Sequence, residues 1–77
     1  MLADEMFEEL GYYRDNEDDT LTYSRPIKDS VTFGYIDSKM ITFENLEVSF
    51  TNVDFLTLEE LQAINKKVEE LGWIENN

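Results

Sequence analysis

The pattern of hydrophobic positions has the period of a helix at both ends of the chain. Near the start, Leu2, Met6 and Leu10 recur every four residues, which predicts an amphipathic helix over residues 2–10. Near the end, a second set of apolar positions lies on one helix face over residues 58–71. Its members are Leu58, Leu61, Ile64, Val68 and Leu71. The sequence therefore predicts an N-terminal and a C-terminal helix, each with one buried stripe.

Capping signals mark the ends of these helices. Thr57, with Glu60 three residues later, predicts a capping box at the start of the second helix. Both predicted helices end in "ELG" followed by an aromatic residue. The first ending is "EELGYY" at residues 8–13, and the second is "EELGWI" at residues 69–74. Glycine readily takes the left-handed conformation that ends a helix, and the next side chain then folds back. We interpret the two segments as one local ending used twice, with Gly72 at positive φ and Trp73 on the core.

Between the helices the apolar period changes from 3.6 to 2, which predicts strands. Leu21 and Tyr23 alternate with polar residues, and Val31, Phe33 and Tyr35 continue an alternation further along. Ile41 and Phe43 then occupy odd positions, whereas Leu46, Val48 and Phe50 occupy even ones. Within one strand, the apolar residues of one face should all fall on odd positions or all on even positions, which we call the parity of the strand. The switch at Glu44-Asn45 therefore predicts either a β-bulge or a turn.

Polar clusters predict where the strands turn. Asp37-Ser38 predicts a tight hairpin, and "DNEDD" from Asp15 to Asp19 predicts a longer one. Proline cannot donate to a strand ladder, so Arg25-Pro26 predicts a strand end. "YYRD" after the first helix predicts a short first strand.

The resulting fold class is α+β, in one domain that spans residues 1–77. The order is an N-terminal helix, an antiparallel meander of three to four short strands, and a C-terminal helix. Both helices are expected to pack on one sheet face. The other face is rich in Thr and Ser, which favours a solvated surface or, alternatively, a partner-binding face or an oligomer contact.

The composition excludes several kinds of chemistry. The chain has no Cys and no His, which excludes disulfides, thiol catalysis and Cys-based zinc sites and removes the commonest general base. The acidic run that starts at Asp15 does not fit a calcium-binding loop, because its sixth position is Thr20 and its twelfth is Pro26. Without a glycine-rich phosphate loop or room for a carboxylate-lined cleft, we expect no enzyme, no metal site and no cofactor.

The net charge of −12 points to a protein partner. Residues 1–20 alone carry eight acids against Arg14, a net charge of −7. Direct nucleic-acid binding needs a basic surface, and an anionic membrane is disfavoured for the same reason. The acidic start lacks the features of a signal peptide and no apolar run has membrane-spanning length, so we expect a cytoplasmic protein. The candidate partner-binding residues are Asp15, Glu17, Asp18 and Asp19.

The two ends of the chain resemble a known group of proteins. "EMFEELGYY" at residues 5–13 and "LQAINKKVEELGWIE" at residues 61–75 look like the ends of small acidic proteins of Gram-positive phages and prophages. Those proteins share an "MFE.LGY" segment, a variable β middle and a closing "LQAI...V.ELGW". The resemblance covers roughly the outer third of the chain and carries no agreed activity. It implies action in the cytoplasm of a bacterial host, alongside or against host machinery.

Two functional hypotheses remain open. The first is a non-enzymatic phage-type binding protein whose acidic surface competes with nucleic acid for a basic host protein, since complementary charge speeds encounter and sets specificity. The alternative is a small structural or assembly protein, a homodimer or an adaptor, whose acidity only gives solubility. Salt-sensitive capture of nucleic-acid-binding proteins favours the first, and a salt-insensitive dimer favours the second.

Overall fold

The computed structural model describes residues 1–17 and 20–74. Within these ranges, two helices flank four strands in the order α1, β1, β2, β3, β4, α2. Their bounds are α1 Ala3–Glu9, β1 Tyr13–Glu17, β2 Thr20–Thr32, β3 Tyr35–Glu44, β4 Glu47–Thr51 and α2 Leu58–Glu70. The strands form one antiparallel sheet in sequence order. The predicted α+β fold class is confirmed, including the short first strand.

The core lies between one face of the sheet and the two helices. Tyr23 of β2 is the register partner of Ile41 of β3, and Phe43 lies two residues further along, so all three share a face. The ring of Phe7, from α1, stacks on Tyr23 with centroids 4.0 Å apart. Ile64 brings α2 into the same buried cluster. Both helices therefore pack on this face, as predicted.

The two helix endings have the same geometry. Gly11 and Gly72 have φ values of 89° and 74°. In each ending, the amide of the following aromatic residue donates to the carbonyl five residues earlier, at 3.0 Å for Tyr12 and 3.1 Å for Trp73. Tyr12 is 3 % exposed, and Trp73 is half-buried against the core. The prediction of one local ending used twice is confirmed.

The parity switch after Phe43 marks a turn. Asn45 and Leu46 connect β3 to β4 with φ values of 51° and 65°. Positive φ at both central residues is typical of the two-residue turns that match the twist of a hairpin. Of the two alternatives that the sequence left open, the turn is correct.

The prediction of a hairpin at Asp37-Ser38 is wrong. The β2–β3 turn lies at Phe33-Gly34, with φ values of 52° and 82°. Gly34 takes the positive φ that such a turn requires at no steric cost, which is why the chain reverses there. Asp37 lies within β3 instead, where its Oδ2 accepts hydrogen bonds from the hydroxyls of Ser30 and Thr32.

The predicted strand end at Arg25-Pro26 is also wrong. β2 continues through Pro26, which is the register partner of Ser38. The pairing of β1 ends opposite Ser24, so beyond that point β2 is an edge strand on the β1 side. The register then shifts between Pro26 and Val31. Sheet edges and bulges are the places within a sheet that tolerate proline.

The buried face of α2 differs from the predicted stripe. Leu58, Leu61 and Leu71 are exposed, whereas Ile64 is buried and Val68 is half-buried. The buried positions of the helix are Glu60, Ala63, Ile64 and Lys67. The helix is thus rotated relative to its apolar stripe, because two charged side chains on its inner face have partners there.

Candidate protein-interaction surface

The sheet face away from the helices carries hydroxyl and carboxylate side chains. One row crosses all four strands, and its register partners are, in order, Asp15, Thr22, Thr42 and Ser49. The Oγ1 atoms of Thr22 and Thr42 lie 3.2 Å apart. These residues have the opposite parity to the core residues of the same strands, so they point away from the helices. We call this surface the open face.

Two carboxylates lie opposite each other at the end of the β3–β4 hairpin. Glu44 and Glu47 are cross-strand partners and both are exposed. They stand two residues from Thr42 and Ser49, so they belong to the open face. Like charges directly opposite each other destabilise a sheet. Sheet stability therefore does not explain this pair, which makes it a candidate contact for a cationic partner.

The cations of the four-stranded region lie on the helix side. Arg14 donates from Nη1 to Oδ2 of Asp4 in α1 over 2.7 Å. The Arg25 guanidinium lies 5.1 Å from the centre of the Tyr12 ring. The Lys39 ammonium lies 5.0 Å from an aromatic ring in the loop before α2. Among the strand residues that the structure describes in this region, the open face therefore has carboxylates and hydroxyls but no Lys or Arg.

The structure describes two of the four sequence-predicted site residues, Asp15 and Glu17, and both belong to β1. Asp15 is exposed and lies in the hydroxyl row. Glu17 ends β1, where its backbone pairs with Thr20. Asp18 and Asp19 lie outside the described residues.

Sequence reasoning missed Glu44 and Glu47, which extend the acidic surface to the other edge of the sheet. The segment "ITFENLEVSF" contains the sequence signal for these acids. In each of its two strands, the acid lies at a position where the alternation predicts an outward-facing polar residue. The pairing of β3 with β4 then brings the two carboxylates together.

A polar cluster joins the start of α1 to the end of α2. Oδ1 of Asp4 accepts a hydrogen bond from the Tyr23 hydroxyl and lies 3.2 Å from Nζ of Lys67. Lys67 is buried and also pairs with Oε1 of Glu70 at 3.4 Å. Oε2 of Glu70 accepts from the Ala3 amide over 2.8 Å. The two helices are thus tied together at this end.

The electrostatics of this cluster shift the pKa values of Asp4 and Tyr23 in opposite directions. Burial would raise the pKa of Asp4, but hydrogen bonds from Tyr23, Lys67 and Arg14 outweigh it, and the pKa lies below its ordinary value. Burial and the Asp4 carboxylate raise the pKa of Tyr23 well above its ordinary value. Asp4 therefore stays ionised and Tyr23 stays protonated at neutral pH.

A shallow cleft of about 270 Å³ borders this cluster. Its lining residues are Asp4, Glu8, Tyr12, Tyr13, Arg14 and Tyr23. The Asp4 carboxylate is already engaged by three donors, and Tyr12 and Tyr23 both donate to carboxylates. A carboxylate with a lowered pKa is a weak base, and a phenol with a raised pKa is a weak acid. The arrangement is suited to holding the helices on the sheet rather than to moving a proton.

No protein-family model, no curated protein and no solved structure matches the chain. Within residues 1–17 and 20–74, no group of three acidic side chains is placed to hold a metal ion. Over the same residues, neither helix has the length and apolar character needed to cross a membrane.

Proposed function

We propose that the chain is a non-enzymatic binding protein whose open face contacts a basic surface on a protein partner. The observation that carries this proposal is the sorting of charge between the two sheet faces. The strand cations interact with groups on the helix side, whereas Asp15, Glu44 and Glu47 project from the other side. An anionic, hydroxyl-rich face of this kind complements Lys and Arg side chains in charge and in hydrogen bonding.

The partner best suited to this face is a protein that binds nucleic acid. Its binding groove is lined with Lys and Arg that normally meet phosphates at regular spacing. Glu44 and Glu47, on neighbouring strands about 5 Å apart, place two negative charges side by side, and Asp15 adds a third on β1. The resemblance to phage and prophage proteins supports a bacterial host protein as the target, with action in the host cytoplasm. The chain would then inhibit that protein by occupying the groove.

The proposal is tested by capture of DNA-binding proteins from a bacterial lysate on the immobilised chain. We expect capture at low salt, release as salt rises, and displacement by added duplex DNA. Neutralising the open face in Glu44→Gln/Glu47→Gln should weaken binding of a purified captured protein by roughly tenfold, since 1.4 kcal/mol changes affinity tenfold. Interfacial charge pairs commonly contribute at least that much.

The matched control removes the same charge from α1. Glu8→Gln/Glu9→Gln changes two exposed helix carboxylates and leaves the open face intact. This variant should retain most of the binding. Equal losses in the two double variants would show that only total charge matters, and captured proteins that DNA does not displace would overturn the competition.

A further inference from the structure

The β2–β3 hairpin extends beyond the rest of the sheet. The pairing of β1 ends at Ser24 and that of β4 ends at Met40, so residues 26–38 form a two-stranded segment that we call the arm. The molecule measures 48 × 26 × 20 Å, with a radius of gyration of 13.0 Å. A compact domain of this length has a radius of gyration of about 11.5 Å. The arm therefore makes the molecule elongated.

The arm exposes apolar side chains. Val31, Phe33, Tyr35 and Ile36 are between 62 and 94 % exposed. An isolated two-stranded hairpin is marginally stable in water, and exposed apolar patches typically mark interaction sites. Among the described residues, no third strand pairs with the arm. Its apolar surface is therefore available to a second molecule.

Phe33 occupies a position that local structure does not favour for an aromatic residue. It has φ 52° in the β2–β3 turn, where the following Gly34 has φ 82°. Such turns prefer Asn, Asp or Gly at the first central position. The Phe33 side chain is 94 % exposed, so packing within the chain does not offset the backbone strain. Neither the turn nor packing within the chain accounts for an aromatic side chain at this position.

The irregular part of β2 forms a hollow within the arm. Between the pairs Pro26–Ser38 and Val31–Ile36, four residues of β2 stand against Asp37 alone. The resulting hollow has a volume of about 510 Å³. Its lining residues are Pro26, Ile27, Lys28, Ser30, Val31 and Ile36. It is therefore a largely apolar surface with one ammonium group among its lining residues.

The distribution of charge indicates a second copy of this chain as the occupant. The arm, residues 26–38, holds one cation (Lys28) and two carboxylates (Asp29 and Asp37), a net charge of −1. The rest of the chain therefore carries −11, since the whole carries −12. Two copies repel each other wherever their acidic bodies meet. The arm is the part of the surface where a second copy meets least of this repulsion.

We propose that the arm is a dimerisation element, in which two copies pack their arms antiparallel and each Phe33 enters the hollow of the other copy. The contact is isologous, because the tip of each arm meets the base of the other. The register pairs Val31 with Ile36 and Thr32 with Tyr35, so Tyr35 lies on the other face of the arm from the hollow. An aromatic side chain buries about 150–250 Å², so Phe33 of two copies accounts for roughly 300–500 Å², to which Val31 and Ile36 add. An area of this size is typical of a weak, reversible contact. This proposal does not depend on the function of the open face.

The test is sedimentation velocity of the purified chain from micromolar to near-millimolar concentration, which should show a reversible monomer–dimer equilibrium. Phe33→Asn creates the Asn-Gly pair that this turn prefers while removing the aromatic ring. It should weaken dimerisation at least roughly tenfold, as loss of a central aromatic contact does, with an equal or higher melting temperature of the monomer. Ile36→Thr should also weaken dimerisation, because it changes the hollow.

The matched control is Leu46→Gly, in the other hairpin turn. Leu46 is also an exposed apolar residue at positive φ, and the change creates an Asn-Gly pair there. It should leave the dimer unchanged. Added monovalent salt should strengthen the dimer, because it screens repulsion between two acidic bodies. A chain that stays monomeric at every concentration, a Phe33→Asn dimer of wild-type affinity, or equal weakening by Leu46→Gly would each overturn the proposal.

Discussion

The hydroxyl of Tyr12 donates a 2.5 Å hydrogen bond to Oε2 of Glu60. Tyr12 is the residue that closes the ending of α1, and Glu60 lies in the first turn of α2. The other oxygen of Glu60 accepts from the Thr57 amide, while the Thr57 hydroxyl accepts from the Glu60 amide. One buried carboxylate thus caps α2 and connects it to the end of α1. With the Asp4–Lys67 pair at their other ends, the two helices are tied together twice.

Tyr12→Phe should destabilise the fold by about 1–3 kcal/mol, because it leaves a buried carboxylate oxygen without its donor. Glu60 is 1 % exposed, so water cannot readily replace the phenol. Chemical denaturation gives the free energy of unfolding. Tyr13→Phe is the control, since Tyr13 is exposed in the neighbouring position. Equal stability of wild type and Tyr12→Phe would mean that the hydrogen bond contributes nothing net.

The Glu60 carboxylate also makes the free energy of unfolding decrease as the pH becomes acidic. Burial would raise the pKa of Glu60, but hydrogen bonds from Tyr12 and Thr57 outweigh it and lower the pKa below its ordinary value of 4.5. The unfolded chain therefore binds this proton more readily than the folded chain does. The resulting stabilisation is present at neutral pH and is lost as pH falls through the folded-state pKa.

Glu60→Gln should remove this component of the pH dependence. Unfolding free energies measured from neutral pH down to about pH 3, below the reference carboxyl values, should fall less steeply for the variant than for wild type. The other carboxylates are common to both proteins, so the difference between the two curves isolates Glu60. Parallel curves would contradict a lowered pKa at this site.

The endings of the helices were predictable because they are local. The capping box at Thr57 and each of the two glycine endings lie within six consecutive residues, and Thr57, Gly11 and Gly72 behave as the sequence indicates. The parity switch near Asn45 was also readable, since alternation is a property of neighbouring residues. The α+β order of elements follows from such signals.

The inner face of α2 could not be predicted in this way. Glu60 and Lys67 are charged, and nothing near them in sequence indicates burial. Their partners Tyr12 and Asp4 lie 48 and 63 residues away along the chain. Burial of a charged group depends on such partners. The open face could be predicted from the sequence only in part, for the same reason. Asp15 lies in an acidic run, whereas Glu44 and Glu47 come together only when the β3–β4 hairpin forms.

Trp73→Ala should destabilise the chain by roughly 2 kcal/mol, less than for a fully buried aromatic residue. Trp73 is half-buried, and its ring lies 6.3 Å from that of Phe43.

Gly72→Ala should cost about 1 kcal/mol, because the residue would have to keep its left-handed backbone conformation with a Cβ, although the space around that Cβ is open. Thermal and denaturant unfolding measure both changes. Wild-type stability of Trp73→Ala would instead make Trp73 a candidate partner contact.

Stability of the monomer should rise with added monovalent salt. The chain carries −12, and salt screens exposed charges over about 10 Å at 0.1 M. Melting temperatures at dilute concentration should therefore increase from low to moderate salt. Glu44→Gln/Glu47→Gln should show a smaller increase, because it removes a directly opposed like-charged pair. A melting temperature that falls with salt would indicate that attractive ion pairs dominate.

The role of the open face is tested most directly by nuclear magnetic resonance. The labelled chain is titrated with a purified basic DNA-binding protein, and the shifts of its backbone amides are followed. We expect the largest changes at Asp15, Thr22, Thr42, Glu44, Glu47 and Ser49, and their reversal when duplex DNA is added. Changes confined to α1, α2 or the arm, or no saturable change at low salt, would contradict the proposal that the open face binds a basic partner.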